Sequence, residues 1–261
     1  MNLLTRKSVN QNQDDTHTNS MKTNLTIFGL LILVCISAQD IKRFDFQFDF
    51  GATISIPTTK SYETMVEFEG HPETQYKSGL GYFAEILLTY NFNNKLGLQS
   101  GVNYSQNNLR VTDNIGFFES IGDIKTNYIN LPILIKYRFS NSSPFTVSGG
   151  VNLGVIINAN QNGTTVIDTA GLVLPGDDIP IVELETNYSD NIKSNFKDFD
   201  FGLSFQIDYE FTFSDNYSGL VFSRFNYGIL DVRSDELYGG SRYSIDKWRN
   251  MGLIIGLGIR I

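Results

Sequence analysis

Ten charged residues recur at a common spacing in this chain: Asp45, Asp49, Glu85, Lys136, Arg138, Asp200, Asp208, Glu210, Arg224 and Arg260. Each lies at an every-second-residue interval from glycines, hydroxyls or amides, and the positions between are mostly large and apolar. That spacing gathers carboxylates and cations onto one side of extended chain, because successive side chains of a strand point to opposite faces. Charges sharing a narrow enclosure can do one of three things. They can pair into a salt-bridged plug, line a small conducting or gated lumen, or supply two carboxylates for acid–base work. The plug is the expected outcome, since charges in a narrow interior are tolerated when paired and hydrogen-bonded. At least one of Lys136 and Arg138 is expected to pair with an inward-facing carboxylate, among which are Asp200, Asp208 and Glu210; which carboxylate meets which cation depends on a register the sequence does not set. Glycines on the same face leave room for long Lys and Arg side chains.

The other chemically suggestive residues are weaker candidates. His71 is the only histidine after residue 38. With Glu69 or Glu73 it could form part of a rim hydrolase or transferase, but a solvated loop histidine is the expected state, and no catalytic residue is assigned. Asp177, Asp178, Glu183, Glu185 and Asp190 crowd one segment. They lack the alternating spacing of an EF-hand, so a solvated acidic loop is expected and no metal or cofactor is assigned. Cys35 is the single cysteine, which excludes an internal disulfide or a thiolate cluster. Pro132 removes a backbone donor from a strand, so a bulge or kink is expected there.

The elements that must position these residues are strands. Residues 128–139 read Tyr-Ile-Asn-Leu-Pro-Ile-Leu-Ile-Lys-Tyr-Arg-Phe, with Ile129, Leu131, Ile133, Ile135, Tyr137 and Phe139 on one face. Residues 198–213 alternate most cleanly, with Phe199, Phe201, Leu203, Phe205, Ile207, Tyr209, Phe211 and Phe213 opposite Asp200, Gly202, Ser204, Gln206, Asp208, Glu210 and Thr212. The same period of two marks 44–55, 79–92, 95–105, 144–159, 217–230 and 248–261. Residues 217–230 are the least regular, because Leu220 and Phe222 share a face with Arg224 and Asn226. About eight strands result. Tight turns near Asn93, Ser142 and Asp215 alternate with long connections at about 56–78, 106–123, 160–195 and 231–246.

Residues 21–38 have the layout of a secretory signal peptide: a basic start at Lys22, an apolar run of about a dozen residues and a small-residue exit at Ala38. The run falls short of the ~20 residues of a spanning helix. Residues 1–20 are read as an upstream extension ahead of the start at Met21, and residues 39–261 as one domain. Acylation of Cys35 is disfavoured because Val34 stands where a small residue is needed. Without residues 1–38 the chain has 17 basic and 26 acidic residues, a balance that argues against nucleic acid as a partner. An exported, aromatic-rich chain of alternating strands suits an all-β fold, an eight-stranded antiparallel up-and-down transmembrane barrel, which leaves no lipid-facing edge. Short turns then fall on the periplasmic side with both termini, and long loops outside.

The 128–139 stretch, with Tyr128, Pro132, Lys136 and Tyr137 at their positions, and the glycine-rich final strand ending Gly256-Leu257-Gly258-Ile259-Arg260-Ile261 resemble the PorT-type outer-membrane β-barrel proteins of Bacteroidetes. The resemblance spans the chain from about Phe44. It implies an outer-membrane location in a Gram-negative bacterium and a porin-like fold, and brings no catalytic residues. The expected function is a non-enzymatic barrel with a structural, surface-binding or secretion-accessory role. A small-solute pore is the alternative, and a rim enzyme the more remote one. Expected partners are outer-membrane lipid and envelope or secretion proteins met through the long loops.

Overall fold

The computed structural model describes residues 43–58, 61–63, 73–115, 118–140, 143–168, 183–214, 217–234 and 247–261. The chain divides into two units, Met1–Phe44 and Asp45–Ile261. The proposed extension and signal peptide, His71, Asp177, Asp178 and Asp215 lie outside the described residues.

Among the described residues eleven strands form: β1 (Phe44–Ile56), β2 (Ser61–Glu63), β3 (Glu73–Ser78), β4 (Leu80–Asn91), β5 (Leu96–Ile115), β6 (Phe118–Arg138), β7 (Phe145–Asp168), β8 (Glu183–Asn191), β9 (Phe199–Ser214), β10 (Tyr217–Gly228) and β11 (Met251–Arg260). Eight of them close a ring in the order β1, β4, β5, β6, β7, β9, β10, β11. The last strand meets the first antiparallel, from Gln47 opposite Arg260 to Ile56 opposite Met251. Reciprocal backbone hydrogen bonds between Phe46 and Ile261 finish the seam. Closure leaves the barrel no open edge, as strands facing hydrocarbon require.

The alternation sorts side chains by face. Along β9, Phe199, Leu203, Phe205, Ile207 and Tyr209 are exposed, while Asp200, Ser204, Gln206 and Asp208 are buried. On β10, Leu220, Phe222 and Arg224 all point inward. The irregularity of 217–230 is therefore a lumen that contains an apolar layer.

The connections differ from the sequence expectation. A tilted strand crosses a membrane in about 9–11 residues, yet β5, β6 and β7 have 20, 21 and 24. Residues 106–123 are the far half of a hairpin, with only 116–117 between its strands, and β6 begins at Phe118. The stretch expected as a loop at 160–195 contains the end of β7 and all of β8, and 56–78 contains β2 and β3. β3 pairs with the outer part of β5, and β8 with the outer part of β7. Beyond the bilayer both faces can be polar, so these strands lose the apolar alternation that marks a lipid-facing span.

The irregularity expected at Pro132 is displaced. The β6–β7 register shifts at Asn127/Tyr128, where Asn127 faces Asn158 and Tyr128 faces Ile156, leaving Ile157 as the extra residue. Toward β5, pairing goes from Ser100–Ile133 to Asn103–Asn130, passing over Leu131 and Pro132. The Pro132 carbonyl accepts from Ser100 Oγ at 2.8 Å. Proline's missing N–H thus interrupts one ladder without bulging the strand.

Candidate functional site: the barrel interior and its outer cap

The lumen is filled in layers. Toward the end that holds the short β4–β5 turn, Arg138 Nη2 and Arg260 Nη1 both reach Glu210 Oε2, at 2.7 and 2.6 Å. Arg260 also donates to Gln47 Oε1 at 3.0 Å, and Gln47 donates to Asp49 Oδ2 at 2.6 Å. Asp45 accepts from Asn91 at 2.8 Å. Lys136 lies 3.2 Å from Asp208, and both are buried. Deeper still, Arg224 grips Glu85 with two parallel contacts of 2.5 and 2.8 Å. That bidentate geometry is a strong form of charge pairing. Gln206 joins two of these pairs by accepting from Arg224 and donating to Asp208. Asn103 adds a donor to Glu85 at 3.1 Å.

All four inward cations among the ten sequence-chosen residues therefore have carboxylate partners. Asp45 and Asp49 are held by amides. Asp200 stands apart at the opposite end of β9, where Asn250 donates to it at 3.1 Å; it does not meet Lys136 or Arg138. The connecting amides Gln47, Gln99, Asn103 and Gln206 were not chosen from the sequence. Their signal was their shared parity with the charges.

An apolar layer of Phe83, Phe222 and Ile254 lies next to the Arg224–Glu85 pair. The two rings meet edge-on at 5.8 Å, and the Arg224 guanidinium stands 5.5 Å over Phe222. Gly256 is required here, since a Cβ would come within 2.7 Å of both rings.

The outer end carries a second core: Val111, Ile124, Tyr128, Ile156, Ala159, Phe196 and Val232, with Tyr76, Ile192 and Trp248 packed against it. A short 3-10 turn at Lys193–Asn195 delivers Phe196, which bridges to Arg233. Trp248 packs on Tyr76 and Phe196 at 5.1 and 5.7 Å. Asp231 ties the segment down, accepting from the backbone N–H groups of Arg233 and Trp248 and from the Arg233 guanidinium. Partial burial pushes the Asp231 carboxyl upward, but these donors outweigh it and hold the group below the usual carboxylate range. A cavity of about 20 Å³, room for about one water, remains where Asn107, Thr126 and Asn250 meet this cap.

A closed antiparallel ring with an apolar outer surface and a polar interior defines an outer-membrane type of β-barrel. The chain belongs to the outer membrane protein beta-barrel domain family, whose model matches residues 37–234. The match stops short of β11, the strand that closes the ring. No curated protein matches. Among solved structures, the chain is similar to the outer membrane protein OprG from Pseudomonas aeruginosa, at 16% identity over 84% of this chain and 97% of that one, TM-score 0.43. It is also similar to Neisserial surface protein A, at 16% identity over 84% and 96%, TM-score 0.38. A third is Ail, the attachment invasion locus protein of Yersinia pestis, at 13% identity over 84% and 99%, TM-score 0.34.

Proposed function

We propose that this outer-membrane barrel is non-enzymatic, that its lumen is closed, and that it acts through its outer wall in a structural, surface-binding or secretion-accessory role. The observation that carries the proposal is the pairing of Lys136, Arg138, Arg224 and Arg260 with Asp208, Glu210 and Glu85 across the lumen. An eight-stranded barrel is just wide enough for side chains to fill, and an apolar layer and an outer core add to the filling. The long hairpins of β5 to β8 are the elements that stand clear of the bilayer for a partner to reach. Affiliation with the PorT-type barrels of Bacteroidetes, with export by a signal peptide at 21–38, belongs to the same proposal. Its support is the Tyr128, Pro132, Lys136 and Tyr137 pattern.

Planar-bilayer recording tests it. The native protein should show no steady conductance, and Lys136→Ala combined with Arg138→Ala should open small, noisy currents. A steady ohmic channel in the unmutated protein would overturn the closed lumen and favour a small-solute pore.

A further inference from the structure

Above the membrane the outward face of β3, β5 and β6 carries charges in an ordered way. Leu109, Val111, Ile124 and Thr126 are buried on the inner side, and Tyr76 packs into the outer core. By alternation, Lys77, Arg110 and Lys125 point outward. Lys77 is the register partner of Arg110, so two like charges stand directly opposite on neighbouring strands. Such a juxtaposition is destabilising unless an anion offsets it. Lys125 sits on the next strand, opposite Asn108. Asp123 touches Arg110 at 3.4 Å, with both side chains about half exposed, so the pair is weak.

The position of these cations relative to the lipid-facing surface points to the anion. Below them, on β4, β5 and β6, the outward face is apolar: Tyr82 against Tyr104 at 6.0 Å, then Ile129 and Leu131, both exposed. Aromatic residues of this kind mark the membrane interface. Lys125 is four positions beyond Ile129, ~13 Å along the strand at about 3.3 Å per residue. At a strand tilt of ~40° this is ~10 Å along the membrane normal. Lys and Arg side chains that snorkel toward the lipid span the remaining distance to headgroups. Farther from the membrane the sign reverses: Glu119, and Glu185 beyond it across Val166, occupy the far row of the same outward face. Asp123 apart, cations lie toward the lipid and carboxylates away from it, so the nearer row stays net positive, the polarity an anionic headgroup layer selects.

We infer that Lys77, Arg110 and Lys125 form a binding site for the phosphates of an anionic glycolipid in the outer leaflet. The inference rests on the proposal that the long hairpins lie outside. It is independent of whether the lumen conducts, so a channel measurement cannot mimic its failure.

The test uses the full chain in nanodiscs of phosphatidylethanolamine containing a minor fraction of either bisphosphorylated lipid A or its dephosphorylated form. Lipid retained per protein after re-extraction is measured by mass spectrometry. The native protein should retain the bisphosphorylated form selectively. Lys77→Gln, Arg110→Gln and Lys125→Gln should each lower that retention about five-fold, with Trp248 fluorescence unchanged. Lys95→Gln, at the turn on the opposite end, should have no effect. Retention undiminished in the triple variant, or equal for the dephosphorylated lipid, would overturn the site. A loss as large with Lys95→Gln would reduce it to diffuse charge and likewise overturn it. Inorganic pyrophosphate binding as tightly to the lipid-free protein in detergent would show a soluble-anion site instead.

Discussion

Lys136 and Asp208 lie 3.2 Å apart with almost no solvent contact, and apart from a Gln206 donor to Asp208 each charge depends on the other. Removing one partner leaves an uncompensated buried charge, and Lys136→Ala is expected to cost about 3–5 kcal/mol in urea unfolding from lipid vesicles. Lys136→Met together with Asp208→Leu should recover most of that loss, because the desolvation cost disappears with the charges. A double variant as unstable as the single would mean that the pair does more than neutralise itself. The lipid face allows a depth comparison. Phe205 lies mid-strand and is 52% exposed, whereas Phe213 lies near the strand end. Phe205→Arg should cost ~2–4 kcal/mol and Phe213→Arg ~0–1. Equal costs would place the bilayer midplane elsewhere.

Among elements, the outer cap depends on a carboxylate that folding depresses. Asp231 is held below its ordinary range by Arg233 and by the Trp248 N–H. A carboxyl depressed by folding contributes stability above its unfolded pKa, near 4, and that contribution is lost as pH falls below it through the folded value. The cap should therefore loosen only in strong acid. Trp248 is the single tryptophan of the chain, so its emission reports on the cap alone. Native emission should hold from neutral pH down to about 4 and shift below it. Asp231→Asn should show the shifted emission already at neutral pH. Emission independent of both would mean that Phe196 and Tyr76 hold Trp248 without help. The hairpin wall has its own fitting device: Tyr188 of β8 lies over Gly163 and Gly122 and accepts from Ser120 and Gln161, at 3.3 Å each. Those glycines leave space for a ring to cross three strands.

For the whole molecule, orientation follows from unequal connections. The β4–β5 turn is short, while β5, β6 and β7 extend well past a membrane span and β8 pairs with the far part of β7. Protease added to intact cells should cut within 169–182 or 235–246 and leave the Asn93 and Asp215 turns whole. Cutting at those turns in sealed cells would invert the orientation and would place the Lys77, Arg110 and Lys125 surface on the periplasmic side.

The period of two determined a good deal by itself. It put Phe205 outward and Gln206 inward, and it put Lys136, Arg224 and Glu85 on the enclosed face, because side-chain direction in a strand depends only on parity. It also bounded the number of lipid-facing strands, since only a strand between lipid and a polar interior alternates so strictly. The partners were a tertiary matter. That Lys136 meets Asp208, that Arg224 meets Glu85, and that Asp200 stays with Asn250 depend on register and on closure between β1 and β11. Parity carries no information about register. β2, β3 and β8 were hidden for a related reason. Above the bilayer neither face must be greasy, so Thr164, Thr165, Asn187 and Ser189 form a strand pair through backbone bonds to neighbours that only the folded chain supplies.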